Sequence, residues 1–318
     1  MTEESSAVES RTRAIVGQLP SISVVVPVFN EAAGIQAVLE GLKAAMDDAG
    51  FEYEVIVVDD ASDDGSAELV QARGSQVRVH RHRKNRGYGA SLKTGIRMAT
   101  YDLIGITDGD GTYPLASFVE LVEKYVYGEF DMVVGARIGP RAAVPIFRRP
   151  AKWVINRLAS FVASERIPDA NSGLRVFRKS AAMRFFDLLP DRFSFTTTLT
   201  LAMLRHGYLV EFTPIEYYRR VGRSKIRPIS DTLGFLRLIS RIALYFAPLK
   251  VFIPLSGLLF LLAVSWAAIS NLVFGQLADA STAVIAMTAV QVAVVGLLAE
   301  LINGRIPYRA EEDHEREI

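Results

Sequence analysis

Ile22–Val28, ISVVVPV, is a run of mostly β-branched residues, apolar but for Ser23, that gives way to Phe29, Asn30 and Glu31. A strand wet on one face would alternate in polarity; this one reads as covered on both faces. Helical periodicity follows over Ile35–Met46, and two more strand-like runs, Glu54–Val58 and Val77–His80, flank a helix around Ser66–Arg73. The pattern continues with a helix over Ser91–Ala99, a strand over Leu103–Thr107, a helix over Leu115–Tyr125 and a strand over Met132–Gly135. This alternation predicts an α/β fold on a mainly parallel sheet covered by helices. Beyond Pro140 the rhythm breaks. Arg148–Ala163 reads as an amphipathic helix with Trp153 and a basic cluster, and Ser230–Phe246 as another with Phe235, Leu236 and Ile239.

Of the 318 residues, 50% are hydrophobic and 22% charged, none is cysteine, and the formal net charge is +1. The mean hydropathy of +0.22 is high for a soluble α/β protein, and the excess lies at one end. No charged residue occurs from Val251 to Ala278, nor from Ala280 to Ala299. Roughly 20 apolar residues at 1.5 Å each cross a bilayer core of about 30 Å, so both runs are long enough to span. Arg237, Arg241 and Lys250 precede the first run, Arg305 and Arg309 follow the second, and the connecting loop Gly275–Ser281 holds only Asp279. Positive charge at both outer ends places both ends in the cytoplasm. The polar stretch Met1–Pro20, with Glu3 and Glu4, has no apolar segment of signal length and reads as a disordered arm. The composition excludes a disulfide scaffold and a cysteine-ligated metal site, and the charge balance argues against nucleic acid as a partner.

In an open parallel sheet, ligands bind beyond the carboxyl ends of the strands. Polar residues gather at those ends: Asn30 and Glu31 after the first strand, Asp59 and Asp60 after the second, Asp108 and Asp110 after the Leu103 strand. Each alone reads equally well as a cap or turn; three such endings on one edge point to a site. Asp108-Gly109-Asp110 places two carboxylates two residues apart, able to converge on one hard cation that neutralises a diphosphate. Asn85-Arg86-Gly87-Tyr88-Gly89 precedes a helix carrying Lys93, where glycines let backbone N–H groups approach phosphate oxygens or simply form a loop. The Lys-Ser/Thr spacing of a Walker loop is absent.

The segments VVVPVFNE, VVDDASDDGS, NRGYGASLKTGI and TDGDGTYP, in this order, resemble family 2 glycosyltransferases of the GT-A fold. Asp169–Arg175, DANSGLR, and Arg220–Lys225, RVGRSK, are similar to the DxxSGxR and RxGxSK segments of the dolichol-phosphate mannosyltransferase group, which includes bacterial polyprenyl-phosphate glycosyltransferases. The resemblance runs from about Ile22 to Asn303. It implies a GT-A (Rossmann-like) glycosyltransferase domain over 21–228 after an arm at 1–20. An amphipathic interface helix at 229–249 and a hairpin in 250–318, with spans at about 251–274 and 280–303, complete the chain. Pro27, Asn30 and Glu31 then match the segment lining the nucleotide, and Asp60, with Asp59, falls where the family holds the base. Asp108 and Asp110 match the carboxylates that bind a divalent metal (Mg2+ or Mn2+) and the diphosphate. Arg175 matches a basic residue of the reaction centre with Asp169 beside it, and Arg220, Ser224 and Lys225 match a phosphate-facing loop. Gly87 and Lys93 belong to the glycine-rich segment. Thr112 stands where relatives often carry Gln as a further metal ligand, so the third protein ligand is open.

The resemblance implies inverting transfer of one sugar from a nucleotide-sugar (GDP-mannose or a UDP-hexose) to polyprenyl phosphate, dolichyl or undecaprenyl, at the cytosolic membrane face. The missing QxxRW signature after Pro190 argues against a polymer-making enzyme. A phosphate monoester, with a second pKa near 6, is largely dianionic at pH 7 and needs no general base. A hydroxyl acceptor such as diacylglycerol would need one, and a carboxylate near Asp169 is where it would sit. A non-catalytic, membrane-tethered nucleotide-sugar binder would have no need of Asp108, Asp110 and Lys225. The basic helix around Arg148, Arg149, Lys152 and Arg157 suits an anionic lipid surface, or equally a solvated face on the sheet.

Overall fold

The computed structural model describes residues 20–73, 77–138, 149–192, 194–218, 244–245, 247–275 and 280–303. In chain order its elements are β1 (Ile22–Val28), α1 (Ile35–Ala49), β2 (Tyr53–Asp59), α2 (Ser66–Gln71), β3 (Arg78–Arg81), α3 (Tyr88–Met98), β4 (Leu103–Ile106) and α4 (Leu115–Tyr127). There follow β5 (Met132–Ala136), α5 (Arg149–Ala163), β6 (Arg175–Arg178), α6 (Lys179–Arg184), α7 (Phe195–Arg205), β7 (Val210–Pro214), α8 (Pro248–Phe274) and α9 (Ala280–Asn303). Two compact units emerge. The first takes in the described residues within Met1–Asn156, Ile167–Leu204 and Tyr208–Lys225; the second, those within Arg157–Arg166, Arg205–Gly207 and Ile226–Ile318.

The first unit is built on one sheet of order β3-β2-β1-β4-β6-β5-β7. β1 is buried along its whole length. Its alternate residues serve opposite faces, as the pleat requires. Val24, Val26 and Val28 join a core with Ile35, Leu39 and Leu42 of α1 and Phe118 and Leu121 of α4. Val25 points the other way, against Gly95 of α3, where an added Cβ would come within 2.3 Å of its side chain.

Direction within the sheet decides where the chemistry collects. β1 pairs in parallel with β2 and β4, so Val28 lies opposite Asp59 and Val25 opposite Ile106. β6 runs antiparallel to both β4 and β5, with Arg175 paired to Ile106 and to Val134. Because β6 is reversed, the segment leading into it arrives at the edge where β4 ends. β5 and β7 are parallel, with Ala136 opposite Pro214, so their carboxyl ends open on that edge as well. The mainly parallel α/β sheet is therefore present, with one reversed strand in it.

In the second unit α8 and α9 form an apolar hairpin. Its candidate spans cover 26 and 23 residues, enough at 1.5 Å per residue for a bilayer core. Their apolar side chains face outward, Leu272 being 83% exposed, as lipid-facing residues do. Where the helices meet, small residues let the backbones approach. A Cβ on Gly296 would lie 2.5 Å from the Cβ of Phe252, and Ser256 Oγ donates to the Ala289 carbonyl at 2.7 Å. Lys250, at the start of α8, donates to the Phe161 carbonyl and Ser164 Oγ at 2.5 Å each, closing the C-terminus of α5. The amphipathic helix expected over Ser230–Phe246 lies almost wholly outside the described residues.

Candidate active site

β4 ends at Ile106, and the next turn carries Asp108 and the buried Asp110. Both carboxylates accept hydrogen bonds from hydroxyls. Tyr88 Oη donates to Asp108 Oδ1 at 2.9 Å, and Thr112 donates to Asp110 Oδ1 from its hydroxyl at 2.7 Å and its N–H at 3.1 Å. The Thr112 hydroxyl that stands in place of Gln thus orients Asp110. Gly173 closes in on Asp108 from the DANSGLR segment: a Cβ there would lie 2.7 and 2.8 Å from the two carboxylate oxygens. The fit to a hard divalent cation rests on this donor set, two oriented carboxylates with room kept by glycine. No group of three His, Cys, Asp or Glu side chains suited to a metal occurs among the described residues. Two carboxylates suit a cation which, like Mg2+, takes one or two carboxylates and completes its shell with substrate phosphates and water.

The DANSGLR segment is organised around two buried groups. Asp169 is fully buried and accepts a fork from Arg137, Nε to Oδ2 at 2.8 Å and Nη2 to Oδ1 at 2.9 Å, while the Arg137 N–H adds a third bond at 3.0 Å. The Arg137 guanidinium also lies 5.3 Å from the Tyr217 ring centre. Arg175 is wholly buried, donating to the carbonyls of Ser172 and Thr196 and, at 3.1 Å, to Thr200 Oγ1; its Nε has no partner. Burial pulls its guanidinium pKa down to about 10, so it remains a cation at neutral pH. Tyr113 Oη accepts the Gly173 N–H at 2.8 Å, and the Tyr218 N–H donates to the Thr112 carbonyl at 2.9 Å. That last bond ties the chain just before Arg220 to the Asp110 turn.

The ends of β1 and β2 are knitted together differently. Asn30 holds a left-handed φ of 56°, its N–H bonded to Ser62 Oγ and its Oδ1 accepting from the Asp63 N–H, both at 2.9 Å. The Glu31 N–H donates to Ser66 Oγ at 2.9 Å, and Pro27 is buried within β1. Asp59 accepts from Arg81 Nε at 3.1 Å and from the Ser62 N–H. Asp60 takes the N–H groups of Arg86 and Gly87, each at 2.8 Å, and meets His82 Nδ1 at 2.7 Å. His82 Nε2 in turn lies 3.0 Å from Thr94 Oγ1.

The glycine-rich segment therefore receives its anion from within the chain. Gly87 has a φ of 103° and sits 2.6 Å, at an added Cβ, from the Asp191 carbonyl; only glycine suits both. Lys93 is paired with Asp191 at 2.9 Å. Of the residues expected at the site, Asp108, Asp110, Asp169 and Arg175 converge on the β4–β6 edge, and Asn30, Glu31, Asp59, Asp60 and Gly87 on the β1–β2 edge. Arg220, Ser224 and Lys225 lie outside the described residues. Tyr88, His82 and Arg137 were not singled out from the sequence. Arg137 stands one residue past the end of β5, and Asp59 and Asp108 likewise lie at or just past strand ends.

Residues 23–186 match the family described as Glycosyl transferase family 2, and residues 247–304 match the GtrB C-terminal hairpin. The chain belongs to glycosyltransferase family 2 and ends in a transmembrane hairpin. It is 27% identical over 310 residues to the dodecaprenyl-phosphate galacturonate synthase of Rhizobium johnstonii, covering 91% of this chain and 89% of that protein. It is 28% identical over 232 residues to the dolichyl-phosphate hexose transferase of Haloferax volcanii, covering 70% and 94%. Two further relatives are matched over 51% and 49% of their own length. Among solved structures, glucosyl-3-phosphoglycerate synthase of Mycobacterium tuberculosis, in complex with Mn2+, UDP-glucose and phosphoglyceric acid, superposes with a TM-score of 0.57. The identity is 21%, over 73% of this chain and 80% of that one. This likeness identifies the GT-A fold.

Proposed function

We propose that this glycosyltransferase moves a single hexose-type sugar from GDP-mannose or a UDP-hexose to a polyprenyl phosphate at the cytosolic face of the membrane. The observation that carries the reading is the fork from Arg137 onto buried Asp169. A carboxylate tied to a guanidinium is a weak base, because the pairing stabilises its ionised form. With Asp169 so paired, the acceptor best suited to the site is one whose oxygen is already ionised, as that of a lipid phosphate is at neutral pH. The names of the two relatives that share most of the fold, a dodecaprenyl-phosphate and a dolichyl-phosphate enzyme, support the same acceptor class.

In the reaction a phosphate oxygen of the acceptor attacks the anomeric carbon in line. The new C1–O bond forms as the bond from C1 to the diphosphate breaks, and the electron pair leaves with the nucleoside diphosphate. The anomeric centre inverts. Asp108 and Asp110 are the residues that would hold a divalent cation, which supplies charge to stabilise the departing diphosphate. Arg175, with Arg220 and Lys225, offsets repulsion between the two anionic substrates. Pro27, Asn30, Glu31 and the Asp59–Asp60 end of β2 line the nucleotide. The outer face of α5, with Trp153 66% and Phe161 52% exposed, suits a helix lying on lipid. The positive residues outside both spans support the cytosolic side.

The test is to supply full-length enzyme in detergent with a panel of nucleotide-sugars and a short polyprenyl phosphate, and to weigh the lipid product. A lipid whose mass rises by one sugar residue on the monophosphate is expected. A product formed only on a lipid hydroxyl, or none with any donor, contradicts the reading.

A further inference from the structure

Tyr88 is the first residue of α3, and its position is set by contacts on three sides. Before it, the Arg86 and Gly87 N–H groups are bound to Asp60. After it, the Ala90 N–H donates to the Asp191 carbonyl at 2.9 Å, and Gly89 lies so close to the Pro190 carbonyl that an added Cβ would come within 2.1 Å. Within the helix, Thr94 meets His82, which is itself bound to Asp60. From this clamped helix start the Tyr88 hydroxyl reaches Asp108 Oδ1.

Asp108 also abuts Gly173, where an added Cβ would come within 2.7 and 2.8 Å of its two carboxylate oxygens. Asp108 is thus held between a donor on one element and a bare backbone on another. Groups that orient a metal ligand without touching the metal commonly govern affinity by 10- to 100-fold, roughly, when removed. We propose that Tyr88 is a positioning residue for Asp108, setting the rotation of that carboxylate so that the glycine-rich segment and the cation site are ordered together. This rests on the reading that Asp108 and Asp110 hold a divalent cation. Its further content is that the hydroxyl at residue 88, which is no ligand, controls how well they do so.

The experiment titrates full-length protein in detergent with Mn2+ alone, following free Mn2+ by electron paramagnetic resonance, for wild type, Tyr88→Phe and Asp108→Asn. Tyr88→Phe is expected to raise the Mn2+ dissociation constant about tenfold. Turnover at saturating Mn2+ should return to within about threefold of wild type, because no ligand has been lost. Asp108→Asn should lose both. If Asp108→Asn weakens Mn2+ binding and Tyr88→Phe leaves it unchanged, the Tyr88 proposal fails while the cation reading stands. If Asp108→Asn also binds as wild type does, the cation reading fails and takes the proposal with it. Should Tyr88→Phe lower the melting temperature, Gly173→Ala gives a second route, since its Cβ would displace the same carboxylate. Losses from the two substitutions should then overlap in the double variant; losses that add in full overturn the proposal.

Discussion

Two pairs of aspartates end β2 and β4, the strands on either side of β1, yet they are bound in different ways. Asp59 and Asp60 are held by cationic or ring nitrogens and backbone N–H groups: Arg81 on one, His82 and the Arg86–Gly87 backbone on the other. Asp108 and Asp110 are held by hydroxyls, from Tyr88 and Thr112, with one N–H added. Charge-assisted bonds to fixed backbone make a carboxylate part of the scaffold. Bonds from hydroxyls aim a carboxylate, which suits the holding of a cation. A DD or DxD pair thus acquires its duty from what surrounds it.

The largest effect in this comparison is expected at the second pair. Asp110→Asn should lower turnover by roughly a thousandfold, since it removes a charged ligand of the cation that stabilises the leaving diphosphate. Steady-state rates with and without EDTA check it, and a variant as active as wild type would erase the distinction drawn between the pairs. Asp60→Asn should act mainly on the fold. One acceptor for the glycine-rich segment becomes a donor facing the Gly87 N–H, at a cost of about 1–3 kcal/mol in stability. Its denaturation midpoint should shift with little change in turnover at saturating donor. A large loss of turnover with an unshifted midpoint would instead give Asp60 a direct part in the reaction. Lys93→Ala should do least. Its pair with half-exposed Asp191 is worth at most about 1 kcal/mol, and donor affinity should change by less than about threefold. A tenfold weaker donor would put Lys93 back on the phosphates.

The sheet and its helices were legible wherever a local pattern suffices. Ile22–Val28 has the same bounds in the sequence reading and the fold, because seven buried positions leave a run with no alternative period. α3 begins at Tyr88, three residues before the periodicity places it, because the N–H groups leading into it are satisfied by Asp60, a residue 26 and 27 positions away. No local signal carries that. β6, only four residues long and reversed in a mainly parallel sheet, also escapes, since RVFR shows neither a run nor a period. The strand-end carboxylates were readable by type and place. Their partners were not: Arg137 lies 32 residues from Asp169, and Tyr88 20 residues from Asp108. Pairings across strands follow from topology, which motif spacing does not express.

On the proposed reading, the ion-paired Asp169 separates a phosphate acceptor from a hydroxyl acceptor. The pH–rate profile of Asp169→Asn on a short polyprenyl phosphate, beside wild type and Asp110→Asn, measures this directly. If the acceptor supplies its own oxyanion, Asp169→Asn loses far less rate than Asp110→Asn. Its profile should then keep the wild-type shape, rising near the second phosphate pKa of about 6 and flat above it. If Asp169→Asn is instead the most damaging change, and its rate recovers as the pH is raised, Asp169 is a general base and the phosphate-acceptor account is wrong.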